Sequence, residues 1–245
     1  MVAETGPVGK SRYTEIVDTL AGELADRPVG TRVASEHEIA DRFGVSRAAA
    51  RSAIQELESR LLVRRIRGSG TFVNHPIDYV ISAERPPSWH QTVRDAGATP
   101  RRIVREVRPA VLPDDLAARL GRPAGSPAHL LVRQGYINDL LSGWSQEWIP
   151  DDIFPDGADV AVHAVESVDM ILRQMAKVEP VRAWCRVSMV LPPADVAVGL
   201  EIDPGRQTWL VESVSRDSTT SLPVMCSNTW SRMEMVRMIV ELGAS

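Results

Sequence analysis

Seven arginines fall between Arg42 and Arg67 (Arg42, Arg47, Arg51, Arg60, Arg64, Arg65 and Arg67), against two carboxylates, Glu56 and Glu58. The whole chain of 245 residues carries a formal net charge of −4. Residues 76–245 hold 17 basic against 22 acidic side chains. A concentrated positive stretch on an acidic chain is the footprint of an anionic partner met at one place, as nucleic acid would be. Guanidinium groups suit such a partner, because their planar fork reaches two acceptors at once, on a phosphate or on the edge of a guanine. A solvated charged face would show the same count, so the elements that carry these arginines decide between the two.

No constellation for catalysis competes with them. The five histidines (His37, His75, His90, His129 and His163) are scattered, and none stands at a metal-ligand spacing from cysteine or a carboxylate. Cys185 and Cys226 are far apart and read as free thiols. Paired carboxylates and a nucleophile with its base are both missing. Neither an enzyme, a cofactor nor a metal site is expected. No apolar run approaches the ~20 residues of a membrane span, and Met1 to Lys10 lack the apolar core of a signal peptide. A cytoplasmic protein without a membrane partner is expected.

The elements come next. Ile16, Val17, Leu20 and Leu24 recur at helical spacing and predict a helix over 13–25. Pro28-Val29-Gly30-Thr31 breaks it. Ser35, with Glu38 three residues on, forms a capping box that opens a second helix, and Gly44 closes it. Ser46 caps a third helix, Arg47 to Glu58. Two helices joined by Phe43-Gly44-Val45-Ser46 make a helix-turn-helix. Two short strands follow, Leu61–Arg65 and Gly70–Val73, joined by a turn over Ile66-Arg67-Gly68-Ser69, which is a wing. Ser46, Arg47, Ala49 and Arg51 then lie near the start of a recognition helix, where base edges are met. Arg47 is assigned to a guanine and Arg51 to phosphate. Ser46 can reach a phosphate at the positive helix end. Arg67, Gly68 and Ser69 suit the minor groove or backbone, with glycine allowing close approach.

Past His75-Pro76 the pattern changes to strands mixed with short helices. Strands are predicted over 102–111, 128–137, 144–149, 181–191, 208–215 and 223–230, and short helices over 114–120, 167–175 and 193–199. Residues 235–242 fit strand or helix equally. The fold class expected is α+β, with domains at 10–75 and 76–245.

The N-terminal residues resemble the GntR family of bacterial regulators. The resemblance rests on Pro28-Val29-Gly30-Thr31, Ser35-Glu36-His37-Glu38-Ile39-Ala40, Phe43-Gly44-Val45-Ser46-Arg47, the helix holding Arg51 and Leu57-Glu58, and Arg67-Gly68-Ser69-Gly70-Thr71-Phe72-Val73. It implies a winged helix-turn-helix that binds double-stranded DNA through Ser35, Ser46, Arg47, Arg51 and the wing. His37 stands where the family has a DNA-contacting arginine, and Ala49 where threonine is common. Arg60 stands where a glycine is usual, which requires an arginine in the left-handed conformation.

Residues 78–240 resemble the UTRA effector domain of the HutC subfamily, which shares the chorismate lyase fold with a mainly antiparallel sheet and short helices. The marks are Asp95-Ala96-Gly97-Ala98-Thr99-Pro100, Leu116…Leu120-Gly121, Glu147-Trp148-Ile149-Pro150, Leu200…Pro204-Gly205 and Leu222-Pro223. Asp78-Tyr79, Arg108-Pro109-Ala110 and the tail around Met235 are similar to the phosphonate-utilisation regulators within it. The resemblance implies a small anionic effector, such as a phosphonate, phosphate or sugar phosphate. It places Ser88, Trp89 and His90 at the start of a ligand-binding helix, Arg133 as the anion-holding arginine and Ser167 as a second ligand serine. Gly135 and Met225 replace a second arginine and a glutamate, and the lost carboxylate argues against an amino sugar. Ser167 also reads as a plain helix cap, Arg133 as an ordinary strand arginine, and Trp89 and Trp184 as core. A homodimeric repressor on a palindromic operator is expected. The competing readings are an uncharged or cationic effector, a lyase-like enzyme fused to a DNA-binding domain, and a nucleoid protein indifferent to sequence.

Overall fold

The structure, a computed structural model, describes residues 12–66, 68–82, 88–154, 168–174 and 176–241. The chain divides into two compact units, Met1–Pro76 and Ile77–Ser245. Among the described residues no helix is long and apolar enough to cross a membrane.

The first unit holds α1 (Arg12–Ala25), α2 (Glu36–Phe43), α3 (Arg47–Ser59), β1 (Val63–Ile66) and β2 (Gly70–Val73). The capping box forms: Ser35 Oγ accepts from Glu38 N at 3.3 Å, while Glu38 Oε2 accepts from Ser35 N at 2.7 Å. Gly44, at φ 62°, ends α2 in the left-handed conformation that glycine adopts without strain. Ser46 Oγ caps α3 by accepting from Ala49 N. Ile16, Val17, Leu20, Ile39, Ala50, Ile54 and Leu57 converge on one core that fixes the three helices together. Residues 30–33 run along β2, with Val33 N donating to Thr71 O and Val73 N to Thr31 O, both at 2.8 Å.

Arg60 does not take the left-handed conformation expected of it. It sits at φ −80°, ψ 1°, and the positive φ falls one residue later, on Leu61 at 60°. Arg60 extends the helix end, where its Nε donates to Glu56 at 2.9 Å. The chain then turns at Leu61, so the first wing strand begins at Val63 rather than Leu61.

The second unit is built on β4 (Pro100–Val111), β5 (Pro127–Ile137), β6 (Leu140–Pro150), β7 (Pro180–Val190), β8 (Thr208–Asp217) and β9 (Pro223–Arg232). They form one antiparallel sheet in the order β4-β5-β6-β9-β8-β7. Asn138 and Asp139, at φ 48° and 62°, make the tight β5–β6 hairpin, the conformation for which Asn and Asp are the favoured non-glycine residues. Because side chains alternate across a sheet, Leu130, Val132, Trp148 and Cys226 pack beneath α5 (Asp114–Leu120). Leu131, Ile149 and Met225 face the other way, against α6 (Val168–Gln174). A short helix, α7 (Ala194–Gly199), packs Val196 on Leu200 and Trp230. The ambiguous tail is a strand, β10 (Val236–Val240). It pairs in parallel with β3 (Ile77–Ile81), a strand not among those expected from the sequence.

Candidate DNA interface and effector cavity

On α3, Ala50, Ala53, Ile54 and Leu57 are buried, which turns Arg47, Ala48, Arg51, Ser52 and Gln55 outward in a stripe. Arg47 lies at the exposed helix start and makes no hydrogen bond or ion pair among the described residues, so its guanidinium is available to a base edge. Arg51, one turn on, is anchored: its Nε donates to Glu36 Oε2 at 3.0 Å, which leaves its two terminal nitrogens for phosphate. Ser46 and Ser35 have their hydroxyl oxygens committed to capping. His37 pairs Nδ1 with Asp41 Oδ2 at 3.3 Å, both side chains being exposed. Ala49 is half-buried beside the helix start. Gly68 and Ser69 form the wing tip, where Ser69 N donates to Ile66 O. Arg67 lies outside the described residues.

In the second unit a cavity of about 40 Å³ sits against the sheet face that carries Leu131 and Met225. Every strand of the sheet contributes to it: Arg102 from β4, Arg133 from β5, Glu147 from β6, Ser227 and Thr229 from β9, Ser213 from β8 and Arg182 from β7. Tyr79 of β3, with Trp89 and His90 of α4 (Trp89–Asp95), closes it. Of the residues assigned to the effector, Trp89, His90 and Arg133 thus line one cavity. Ser88 does not line it and caps α4, its hydroxyl accepting from Gln91 N. Ser167 lies outside the described residues. Trp184 is elsewhere, on the exposed side of β7 with the Arg119 guanidinium 4.0 Å from its ring centroid, so it offers no platform here.

Arg133 also makes a buried ion pair. Its Nη2 donates to Glu147 Oε1 at 2.6 Å and its Nε to Oε2 at 3.2 Å, with Arg133 2% and Glu147 4% exposed. The fork expected to take an anion is closed on a carboxylate. Burial works against the Glu147 charge, yet the Arg133 guanidinium outweighs it and holds the carboxyl below its ordinary range.

Arg102 was not singled out by the sequence. It is 7% exposed and stands opposite Gly135 across the β4–β5 pair. A Cβ on Gly135 would lie 3.4 Å from Arg102 Nη1 and from Trp89 Nε1. The glycine that replaces the family's second arginine therefore makes the space into which a neighbouring strand inserts its own. Arg102 donates from Nη1 to Ser145 Oγ at 3.1 Å, and its guanidinium lies 5.0 Å from the Trp89 ring centroid. Burial and the adjacent Arg133 push its pKa down to about 9, still well above neutrality.

Residues that line the cavity carry buried nitrogens without partners. Arg102 Nε, Arg182 Nε, Trp89 Nε1 and His90 Nδ1 are buried without a hydrogen-bond partner among the described residues. His90 is pushed down to about 4, first by burial and then by Arg102, Arg133 and Arg94, so it is neutral at physiological pH. Three guanidinium groups face one carboxylate, an excess of positive charge in a largely closed space.

Comparison with known proteins agrees with this geometry. Residues 13–73 match the family described as bacterial regulatory proteins, gntR family, and residues 95–237 match the UTRA domain. The chain is 26% identical over 191 residues to the HTH-type transcriptional regulator GgaR of Escherichia coli (strain K12), covering 77% of this chain and 73% of that one. It is 29% identical over 119 residues to the HTH-type transcriptional repressor NagR of Bacillus subtilis (strain 168), 49% of each chain. Its fold is similar to the crystal structure of PhnF from Mycobacterium smegmatis, with a TM-score of 0.63 at 21% identity, over 94% of this chain and 100% of that one. The chain belongs to the GntR family, carries a UTRA effector domain of the HutC type, and is a DNA-binding transcription regulator rather than an enzyme.

Proposed function

We propose that the chain is a cytoplasmic repressor that binds a palindromic operator as a homodimer and changes its DNA affinity when a small oxyanion enters the cavity of the second unit. The observation that carries the effector reading is the set of buried, unsatisfied nitrogens there, with arginine outnumbering carboxylate. The buried N–H groups of Arg102, Arg182 and Trp89 among them cost free energy until something accepts from them. An oxyanion accepts several at once, with charge-assisted bonds. Arg102 and Arg182 are the groups proposed to hold it, with Trp89 and His90 beside it, while Arg133 is balanced by Glu147. The cavity volume corresponds to about three waters at ~10–15 Å³ each, which suits phosphate or a short phosphonate. A cationic effector would meet the arginine excess, and an uncharged one would leave it uncompensated.

The test is a thermal-shift titration of the full chain with inorganic phosphate, methylphosphonate, acetate and glucosamine, because a ligand that binds only the folded state raises the melting temperature. Phosphate or methylphosphonate should raise it, and Arg182→Gln should abolish the shift without lowering the starting value. Stabilisation by glucosamine alone, or an unchanged phosphate response in Arg182→Gln, would overturn the reading. Arg133→Ala is a poor probe, since it strands the Glu147 carboxylate in the interior.

A further inference from the structure

The DNA-binding unit holds an arginine that neither its helices nor its wing tip account for. Residues 30–33 run beside β2, and Arg32 bridges Phe72 of that strand. Val33 is 5% exposed and enters the core, so alternation turns Arg32 outward. Its guanidinium lies over the wing, 3.4 Å (Nε) from where a Cβ on Gly70 would stand. Gly70 is at φ 123°, a conformation that side-chain-bearing residues rarely adopt.

Arg32 makes no hydrogen bond or ion pair among the described residues. Several other arginines of the unit differ: Arg42 holds Glu23, Arg60 holds Glu56, and Arg51 and Arg65 share Glu36. Of the carboxylates that line the same grooves, Glu36 is engaged by that pair of arginines, and Glu38 accepts from the backbone of Ser35, with Arg32 adding only a minor electrostatic stabilisation of its charge. Two surface grooves meet at Arg32. One runs between Ser35, Ile54 of α3 and Gly68 and Gly70 of the wing. The other runs along Ser35, His37 and Glu38 at the start of α2.

A recognition helix sits in a major groove, and a wing beside it meets the adjoining minor groove. Those two grooves are separated by one phosphodiester strand. We propose that Arg32, standing between α2–α3 and the wing, holds the DNA phosphates of that strand. The contact is to backbone oxygens, so it adds affinity for any duplex and no base preference. Guanidinium offers such an oxyanion a bidentate fork, whereas an ammonium would act as a point charge.

The test uses the full chain and a random-sequence duplex, with affinity followed by fluorescence anisotropy between about 50 and 200 mM salt. Each lost phosphate contact reduces the slope of log affinity against log salt by about 0.9. The proposed homodimer loses two such contacts, so Arg32→Gln should shed about 12-fold less affinity than the parent across that fourfold salt range, and Arg32→Lys should recover the parent slope. Arg27→Gln removes the same charge from an exposed arginine of this unit that lines neither groove, and should leave the slope unchanged. A parent slope in Arg32→Gln, or an equal loss in Arg27→Gln, would overturn the assignment. Failure of the parent chain to bind any duplex would count against DNA binding as such.

Discussion

Arg133, which residue type and order along the chain assign to an anion, pairs with Glu147, whereas Arg102, not singled out by the sequence, lines the same cavity with its Nε unpartnered among the described residues. Arg133 is recognisable because it sits on a strand before a tight turn, as the family's anion-holding arginine does, but nothing local reveals that Glu147 lies diagonally across the next strand to close its fork. Arg102 becomes visible only through the β4–β5 register, which sets it over Gly135. On α3 the residue types were enough, since helix period alone separates Arg47 and Arg51 from the buried face. Arg47→Ala should cost ~1–3 kcal/mol of specific binding and relax base preference at one position per half-site. Arg51→Ala should weaken all sequences alike, because the side chain assigned to phosphate is lost together with its pair to Glu36. Equal specificity ratios for the two variants, measured against operator and random duplex, would defeat the assignment. His90 adds a pH dependence. Its ordinary value of 6.5 falls to about 4 in the folded chain, through burial and the facing Arg102, Arg133 and Arg94. The unfolded chain thus takes up the proton first, so the contribution to stability is complete above about pH 6.5 and declines as pH falls toward about 4. Thermal melts of His90→Asn should decline less over that range than those of the parent; identical profiles would remove His90 as the cause.

Elements were legible wherever a local signal specified them. The capping box, Gly44 and Ser46 place α2 and α3, and Asn138-Asp139 places the β5–β6 hairpin. β3 was missed although Ile77, Tyr79 and Ile81 alternate, because its partner strand lies 159 residues away, as the Arg237–Asp78 pair shows. That pairing matters to the cavity. Tyr79 of β3 packs on Trp89 with ring centroids 5.9 Å apart, and both share a core with Met235 and Val236, the latter fully buried. Parallel pairing leaves β3 with β10 as its only hydrogen-bonded strand neighbour among the described residues. Val236→Asp would place an unpaired charge in that core, at a cost of ~3–5 kcal/mol. The effector unit should then melt at a lower temperature and lose its phosphate shift, since the Tyr79–Trp89 wall depends on the cluster. Affinity for random duplex should remain, because the first unit has its own core. Retention of the full phosphate shift would show that β10 does not support the cavity.

At the scale of the whole molecule, the sequence shows a charge asymmetry: seven arginines fall within residues 42–67, while residues 76–245 carry more acidic than basic side chains. Such a distribution favours DNA at the arginine-rich segment of the first unit over the second unit. Pairing is what specificity requires. One recognition helix contacts about 3–4 bases, and a genome offers ~10⁶–10⁹ competing sites, so a single unit cannot select an operator. The proposed homodimer would read two inverted half-sites, separated by about 10–10.5 base pairs or a multiple of it. An effector can then act only by binding one spacing of the two DNA-binding units better than another. Light scattering at micromolar concentration should give twice the chain mass. Inserting about five base pairs between the operator half-sites turns one of them to the opposite face of the duplex, and should reduce binding to the level of random DNA. Phosphate should shift the parent operator's affinity but not that of the lengthened one, because no arrangement of the dimer reaches both half-sites there. A monomer that binds the operator with full affinity, or a lengthened operator that binds as tightly as the parent, would show that two-fold reading is not the source of specificity.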